Sequence, residues 1–131
     1  MKIVFCIFIG GAIGAIAREL LMLSIPILSD SFPMDIFVAN ISASFLLGIT
    51  AALFQHKLIG QYANAFIATG MMGGLSTFSS FIYGALEIMQ HPSKLWVGIC
   101  YIAISLVIGF IALILGLWLG NKLKLKEKTL P

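Results

Sequence analysis

The residues that could do chemistry in this chain are neutral hydrogen-bond donors and aromatic rings, placed inside strongly apolar segments. Asn40 is the strongly polar residue in the interior of its segment, and Tyr101 and Ser105 lie one helical turn apart in another. Phe78 and Phe81 are three residues apart, so they share one face of a helix. Four hydroxyl side chains fall within a short stretch: Ser76, Thr77, Ser79 and Ser80. These groups can solvate a small ion but carry no fixed charge.

Neutral donors and ring edges favour an anion over a cation. The edge of an aromatic ring carries the positive end of its quadrupole, so Phe78 and Phe81 presented edge-on would attract an anion. No carboxylate lies near the middle of an apolar segment to bind a cation. A small anion could therefore exchange water for hydroxyl, amide and ring-edge contacts. Two alternatives stay open, because aromatic residues at this spacing also serve packing, and Asn40 with Ser44 and Gly48 forms a stripe suited to helix–helix contact.

Covalent catalysis and nucleic-acid binding find no support in the sequence. There is no nucleophile–base pair, no HExxH motif and no carboxylate pair that could act as acid and base. The glycines at 70–74 lack the strand–turn–helix setting and the GK[ST] ending of a phosphate loop. The net charge of +3 comes from cations that do not cluster among aromatic residues. We therefore expect a transport protein and not an enzyme.

The elements that must position these residues are membrane-spanning helices. The chain has 131 residues, of which 60% are hydrophobic and only 10% charged, against about a quarter charged in a soluble domain. Four apolar segments are long enough to cross a bilayer, at about 3–23, 34–54, 62–89 and 95–119, and a basic tail follows at 121–131. The fold class predicted is an all-α membrane protein with four transmembrane helices in a single transmembrane domain.

The third segment is predicted to break at mid-membrane. Gly73 and Gly74 each cost a helix about 1 kcal/mol relative to alanine, and four hydroxyl residues follow within a few positions. The segment is also longer than one straight span needs. Irregular backbone at this depth is tolerated only where it is buried in protein or lines a wet cavity. We place the break near residues 73–76.

The first segment carries glycines suited to helix packing and one positively charged residue within its apolar run. Gly10 and Gly14 form a small-xxx-small pair, which lets another helix backbone approach closely. Arg18 lies in the last third of the segment, beside Glu19. Its side chain could extend to the interface or pair within the bundle, or it could serve a vestibule. Both interpretations of Arg18 remain open.

The loop charges give little preference for one membrane orientation. An even number of helices places both termini on one side, together with Lys2, Lys57 and four lysines of the tail. The opposite side holds Arg18 and Lys94. Six cations against two favour cytoplasmic termini, but without the tail the count is two against two. Insertion in both orientations is compatible with these numbers.

Residues 73–81 (GGLSTFSSF) resemble the small fluoride channel family, Fluc/CrcB. Supporting matches are residues 10–18, Asn40 with residues 44–48, and the spacing of Tyr101, Ser105 and Gly109. The resemblance implies a channel of the bacterial inner membrane that exports fluoride down its electrochemical gradient. It also implies an antiparallel, dual-topology homodimer with two pores, whose partners are fluoride, a second copy and membrane lipid.

The resemblance further assigns roles to individual residues. It implies that fluoride passes a pair of phenylalanines matching Phe78 and Phe81, and that a structural sodium ion is held by the backbone carbonyls of Gly73 and Ser76 from both subunits. Further residues assigned to the pore or its vestibule are Asn40, Ser79, Ser80, Tyr101, Ser105 and Arg18.

Two departures from the family pattern and one rival function deserve notice. The family often has threonine where Ser76 stands and glutamate where Gly84 stands. A carbonyl ligand survives the first change, whereas the second removes a vestibule side chain. The rival function is a small four-helix multidrug exporter, which normally needs a carboxylate in its first helix, but residues 3–17 contain no acid. A non-transporting assembly subunit would also suit the glycine-rich helix faces.

Overall fold

The protein consists of long α-helices joined by short connections. The structure is a computed structural model that describes residues 1–25 and 32–127. Helix α1 spans Lys2–Ser24 and α2 spans Met34–Gln55, while the last helix, α6, spans Leu95–Glu127 after a 3-10 turn at Pro92–Lys94. Together with the interrupted third span these make four helices long and apolar enough to cross a membrane. The predicted all-α architecture with four spans is confirmed.

The end of the predicted basic tail, at 128–131, lies outside the described residues. Most residues of the first connection do so too, among them Pro26, Ser29, Asp30 and Ser31.

The third span is built from several short elements. It begins with α3 (Gln61–Asn64), continues as a π-helix over Ala65–Met71, and returns to α-helix in α4 (Met72–Leu75). After an interruption, α5 covers Phe78–Met89. The predicted break is therefore present, and we call the non-helical residues Ser76 and Thr77 the break.

The break lies slightly later than the glycines predicted. Gly73 and Gly74 stay helical, and the backbone turns extended only at Ser76, where ψ is 153°, and at Thr77, where φ is −143°. The reason is a tertiary contact: a β-carbon on Gly74 would collide with the carbonyl oxygen of Gly11 in α1. Gly74 thus permits close packing of a regular turn, and its low helix propensity does not decide where the helix ends.

Helix α1 packs against the first half of the third span through four glycines. We call Gly10, Gly14, Gly70 and Gly74 the glycine seam. A β-carbon on Gly14 would collide with the carbonyl oxygen of Met71, and one on Gly70 would lie 2.8 Å from the carbonyl oxygen of Ile7. Small residues at this spacing allow backbones to touch without intervening side chains. The predicted packing role of the first-segment glycines is confirmed.

Helices α2 and α6 form a second close pair. Gly48 meets the backbone of Leu113, and Gly116 meets the backbone of Phe45. Nε2 of His56, at the end of α2, lies 2.6 Å from Oδ1 of Asn121 in α6. Helix α6 continues to Glu127, beyond the predicted end at 119, because the residues that follow favour helix and need no membrane to support them.

Two exposed tryptophans on α6 are separated by about the thickness of a bilayer core. Trp96 and Trp118 are both largely exposed, and the rise of an α-helix places them about 33 Å apart. Tryptophan prefers the interface, and this separation matches the thickness of the hydrocarbon region. Residues 105–109 lie midway between the two tryptophans, and Gly109 faces Ile41 and Ser44 of α2 there.

Candidate functional site

The side chain of Asn40 holds the break in place. Its Oδ1 accepts a hydrogen bond from the backbone N–H of Thr77 at 2.7 Å, and its Nδ2 donates to the carbonyl of the same residue at 3.2 Å. One carboxamide thus satisfies both backbone groups of a residue that has left the helix. This matters at membrane depth, because unpaired backbone groups are costly there. Asn40 therefore links α2 to the third span by hydrogen bonds, which was one of the two roles predicted for it.

Thr77 begins the second half of the span as the N-cap of α5. Its Oγ1 accepts from the backbone N–H of Ser80 at 3.2 Å, which is the usual capping bond of a threonine. The same oxygen donates to Oγ of Ser80 at 2.9 Å and lies 3.4 Å from Oγ of Ser79. Because Ser80 Oγ accepts the Thr77 proton, its own hydrogen is left to donate to a third group.

Arg18 reaches the break from α1. Its Nη1 donates to the carbonyl oxygen of Gly74 at 3.4 Å, and the side chain is partly buried. This carbonyl belongs to the C-terminal end of α4, where a cation complements the helix dipole. The guanidinium therefore pairs within the bundle, and its role at a vestibule remains a prediction.

A groove of about 450 Å³ opens between α2, the break and α6. Its hydrogen-bonding groups come from all three, and its remaining surface is aromatic and aliphatic. None of the described residues that line it is charged, so it offers an ion only neutral contacts. The lining residues are Asn40, Ser44, Leu47, Ser76, Thr77, Phe78, Phe81, Ser105, Leu106, Gly109, Phe110 and Leu113.

A row of aromatic rings leads from the rim of the groove into the core. Phe78 is 77% exposed at the rim, whereas Phe81 is only 7% exposed. Their ring centroids lie 6.3 Å apart, and Phe81 lies 5.3 Å from Tyr101. Tyr101 in turn meets Phe32 edge to face at 5.0 Å. The two predicted phenylalanines are thus neighbours, but they occupy very different environments.

Two hydroxyl oxygens beside these rings are buried without a hydrogen-bond partner among the described residues. They are the phenolic oxygen of Tyr101 and Oγ of Ser105. A buried polar group without a partner is unfavourable by about 1–3 kcal/mol, so native proteins rarely keep one. These two hydroxyls are therefore suited to a polar ligand such as water or an ion, and Ser105 lies on the groove wall.

The structure gathers some of the predicted site residues and leaves others apart. Those on the groove wall are Asn40, Ser76, Phe78, Phe81 and Ser105.

The remaining predicted residues lie around the groove. The hydroxyls of Ser79 and Ser80 face Thr77, and the ring of Tyr101 packs against that of Phe81. Arg18 bonds the carbonyl of Gly74 at the end of α4. Gly73 is exposed, with open space where a β-carbon would be. All these functional roles stay predictions.

Comparison with known proteins decides the family. A protein-family model described as "CrcB-like protein, Camphor Resistance (CrcB)" matches residues 5–117. The chain is also 54% identical over 126 residues to a Yersinia pseudotuberculosis protein named "Fluoride-specific ion channel FluC 3", covering 96% of this chain and 94% of that one. The chain belongs to the CrcB family.

Other CrcB relatives differ in length. A Brucella abortus protein named "Fluoride-specific ion channel FluC 1" is 43% identical over 123 residues, which cover 93% of this chain but only 46% of the relative. An Ignicoccus hospitalis protein named "Fluoride-specific ion channel FluC" is 37% identical over 123 residues, covering 94% of this chain and 98% of the relative.

The position where the CrcB resemblance leads one to expect glutamate is closed in this chain. Gly84 is buried, and a β-carbon there would lie 3.0 Å from Cγ of Pro33 and 3.6 Å from Cδ1 of Ile36. A longer side chain would have to displace the proline ring. Glu87, one turn later, is exposed. The start of α2 thus fills the space that a glutamate would need.

Several groove residues of this CrcB chain were not among the predicted site residues. Thr77 was one of the four hydroxyls, yet its capping geometry follows from the position of the break. Ser44 was visible as the residue one turn after Asn40, and its Oγ donates to the Asn40 carbonyl at 2.9 Å. Leu106 and Phe110 line the groove beside Ser105, but nothing in a uniformly apolar helix distinguishes them.

Proposed function

We propose that this chain conducts fluoride across the membrane as a selective channel. The observation that carries the proposal is the groove beside the break, whose described lining residues supply neutral donors, aromatic rings and aliphatic side chains but no charge. Amide, hydroxyl and ring-edge contacts replace the hydration of a small anion without a fixed charge to trap it. The names of the relatives, which describe fluoride-specific ion channels, support the same ion.

The proposed channel is an antiparallel homodimer with two pores. The groove is open on one side, where Phe78, Leu106 and Phe110 are each more than 60% exposed. Polar groups facing lipid tails are unfavourable, so a second protein surface is needed to close the pathway. A second copy supplies that surface, and the near balance of loop charges allows it to insert in the opposite orientation.

A structural sodium ion at the centre of the dimer is part of this proposal. Its ligands would be the backbone carbonyls of Gly73 and Ser76 from both copies. The residues fit such an ion, because Gly73 faces open space and Ser76 ends α4 with extended backbone. Carbonyl oxygens are suitable ligands for a monovalent cation. The bound ion would join two helix ends that carry partial negative charge.

The proposed location is the inner membrane of a bacterium, with fluoride leaving the cell down its electrochemical gradient. The four apolar helices make the chain a multi-pass membrane protein. The dual insertion places one pore in each direction, so conduction does not depend on the orientation of a single protomer.

Fluoride efflux from liposomes tests the conduction proposal. Purified protein is reconstituted into vesicles loaded with potassium fluoride, and efflux is followed with a fluoride electrode after a potassium ionophore is added. We expect rapid release of fluoride and retention of chloride from matched vesicles. Vesicles that stay tight to fluoride would overturn the proposal, and proton-coupled export of a cationic drug would favour the rival function.

Cysteine labelling tests the antiparallel assembly. In a background with Cys6 and Cys100 replaced by alanine, Lys57→Cys is labelled in intact cells with a membrane-impermeant maleimide. Dual topology predicts that about half of the protein is labelled before lysis. A second cysteine near the break, Gly73→Cys, should crosslink two such protomers. Labelling of all or none of the Lys57→Cys protein would contradict an antiparallel pair.

A further inference from the structure

We propose that Asn40 and Thr77 create the sodium site by drawing away two backbone amides that would otherwise bond the carbonyls of Gly73 and Ser76. The inference rests on the proposed sodium ion, and it assigns to these two side chains a positioning role that the resemblance did not. Neither side chain touches the ion in this scheme.

The first diverted amide is that of Thr77. In a continuous α-helix the N–H of residue i+4 bonds the carbonyl of residue i, so this amide would bond Gly73. Here it donates to Oδ1 of Asn40 at 2.7 Å instead. The second bond of the carboxamide, from Nδ2 to the Thr77 carbonyl, fixes the side chain in this position. The Gly73 carbonyl thereby loses its usual helical partner, and Gly73 itself is exposed, with open space at its β-carbon position.

The second diverted amide is that of Ser80. By the same helical rule its N–H would bond the carbonyl of Ser76. It donates instead to Oγ1 of Thr77 at 3.2 Å. The extended backbone of Ser76, with ψ of 153°, also turns its carbonyl out of the helical direction. The same capping bond that starts α5 therefore frees the second predicted ligand.

A third carbonyl at the break is already taken. Gly74 accepts a hydrogen bond from the Arg18 guanidinium at 3.4 Å. The three side chains thus have different effects on neighbouring carbonyls. Arg18 donates a hydrogen bond to that of Gly74, whereas Asn40 and Thr77 leave those of Gly73 and Ser76 without their helical partners. Two free carbonyls per chain become four when a second copy approaches on a two-fold axis, which is a ligand set for a monovalent cation.

The same carboxamide connects the two proposed ion sites. Asn40 lines the groove, and an amide nitrogen carries two hydrogens of which Thr77 receives one. The remaining N–H is available to an anion in the groove. Asn40 thus releases a cation ligand on one side of the break and presents a donor on the other.

Paired substitutions at Asn40 test the first diversion. Sodium affinity of the purified dimer is measured by titrating sodium against N-methylglucamine and following the thermal midpoint. Asn40→Leu lets the Thr77 amide return to Gly73, so we expect sodium affinity to fall about tenfold. Asn40→Asp keeps the acceptor oxygen for the Thr77 amide and adds a negative charge near the cation, so its sodium affinity should equal or exceed that of the unmodified protein. Both variants lose the free N–H and should conduct fluoride poorly.

Paired substitutions at Thr77 test the second diversion independently. Thr77→Val removes the acceptor for the Ser80 amide and should also weaken sodium binding about tenfold. Thr77→Ser keeps the hydroxyl, so its sodium affinity should match that of the unmodified protein. Thr50→Val is the matched control, because it is the same chemical change at a buried threonine whose Oγ1 bonds only its own helix, at Leu46.

The outcomes separate this inference from the proposed channel. Unchanged sodium affinity in both Asn40→Leu and Thr77→Val, in a protein that conducts fluoride and binds sodium, would overturn the inference alone. Equal loss in Thr50→Val would overturn it too, because the effect would then be general destabilisation. A protein that conducts fluoride but binds no sodium would remove the cation site and this inference with it. Should Asn40→Leu not fold, the Thr77 pair decides.

Discussion

The two sides of the third span are packed in opposite ways, tightly on one side and openly on the other. On the side of α1, the glycine seam brings backbones into direct contact, and added β-carbons would collide with carbonyl oxygens at Gly10, Gly14 and Gly74. On the side of α2 and α6, side chains stand apart around a groove of about 450 Å³. The seam leaves no room for a ligand, whereas the groove leaves room and supplies neutral donors. The first half of the span is therefore packed tightly against α1 on one side, while the break faces an open groove on the other.

The largest expected effect comes from filling the seam. Gly14→Leu places a bulky side chain against the backbone of Met71, which cannot move aside as a flexible side chain could. Overpacking of this kind typically destabilises by about 1–3 kcal/mol, and rigid backbone puts this case at the upper end or beyond. We expect loss of the monodisperse peak in detergent size-exclusion chromatography. Gly60→Ala, where a β-carbon meets nothing within 4 Å, is the control and should elute normally.

Changing the buried ring of the groove should leave the seam untouched but reduce conduction. Phe81→Ile removes the aromatic edge while keeping an apolar side chain at a position that is 7% exposed. Aromatic contacts contribute about 0.5–1.5 kcal/mol beyond burial, so fluoride efflux should fall about tenfold. Liposome efflux measures the rate, and size-exclusion chromatography checks that the dimer persists. Leu86→Ile, at an exposed position on α5, is the control and should keep full efflux. Full efflux in Phe81→Ile as well would rule out the ring-edge mechanism.

Removing the unpartnered hydroxyl of the groove should move stability and flux in opposite directions. Ser105→Ala deletes a buried Oγ that has no partner among the described residues. The protein should become more stable, by about 1–3 kcal/mol, because an unpaired buried polar group is lost. Fluoride efflux should nevertheless fall about threefold if that hydroxyl serves the ion. Thermal unfolding and efflux are measured on one preparation, and a fall in both would point to a structural role.

The smallest effect is expected where the two sides meet. Arg18→Gln shortens the side chain, so that it no longer reaches the Gly74 carbonyl, and removes a positive charge at the end of α4. A long, partly buried hydrogen bond of this kind contributes about 1 kcal/mol, so the thermal midpoint should fall by a few degrees. Glu19→Gln, at the exposed neighbour, controls for charge alone. An unchanged midpoint would mean that the seam holds the break without help from Arg18.

Hydropathy was sufficient to predict the four spans, because a bilayer demands about 20 apolar residues whatever their contacts. It was not sufficient to place the break. That position depends on Gly74 touching α1 and on Asn40 bonding Thr77, and these contacts join residues 37 or more positions apart. The π-helix at Ala65–Met71 was not predicted either, since no local pattern marks it.

The candidate site divides in the same way. The residue types were predictable, because a membrane-buried asparagine and a run of hydroxyls need partners and so attract attention. Their pairing was not. The spacing of Phe78 and Phe81 placed them on one face, yet one ring is at the rim and the other in the core, since the neighbouring helices cover only one of them. The contact by which Pro33 fills the space beside Gly84 could not be predicted from sequence either, because it depends on the tertiary structure.

The long last helix bears on electrical behaviour. Beyond Trp118 it carries Lys122, whose Nζ lies 3.7 Å over the indole ring, so this charge is held close to the membrane surface. In the proposed antiparallel pair, one such lysine would face each aqueous phase. An ion arriving from either compartment would then meet the same field, and the current at equal and opposite voltages would be equal in size. Rectification would be absent by symmetry, without any residue having to suppress it.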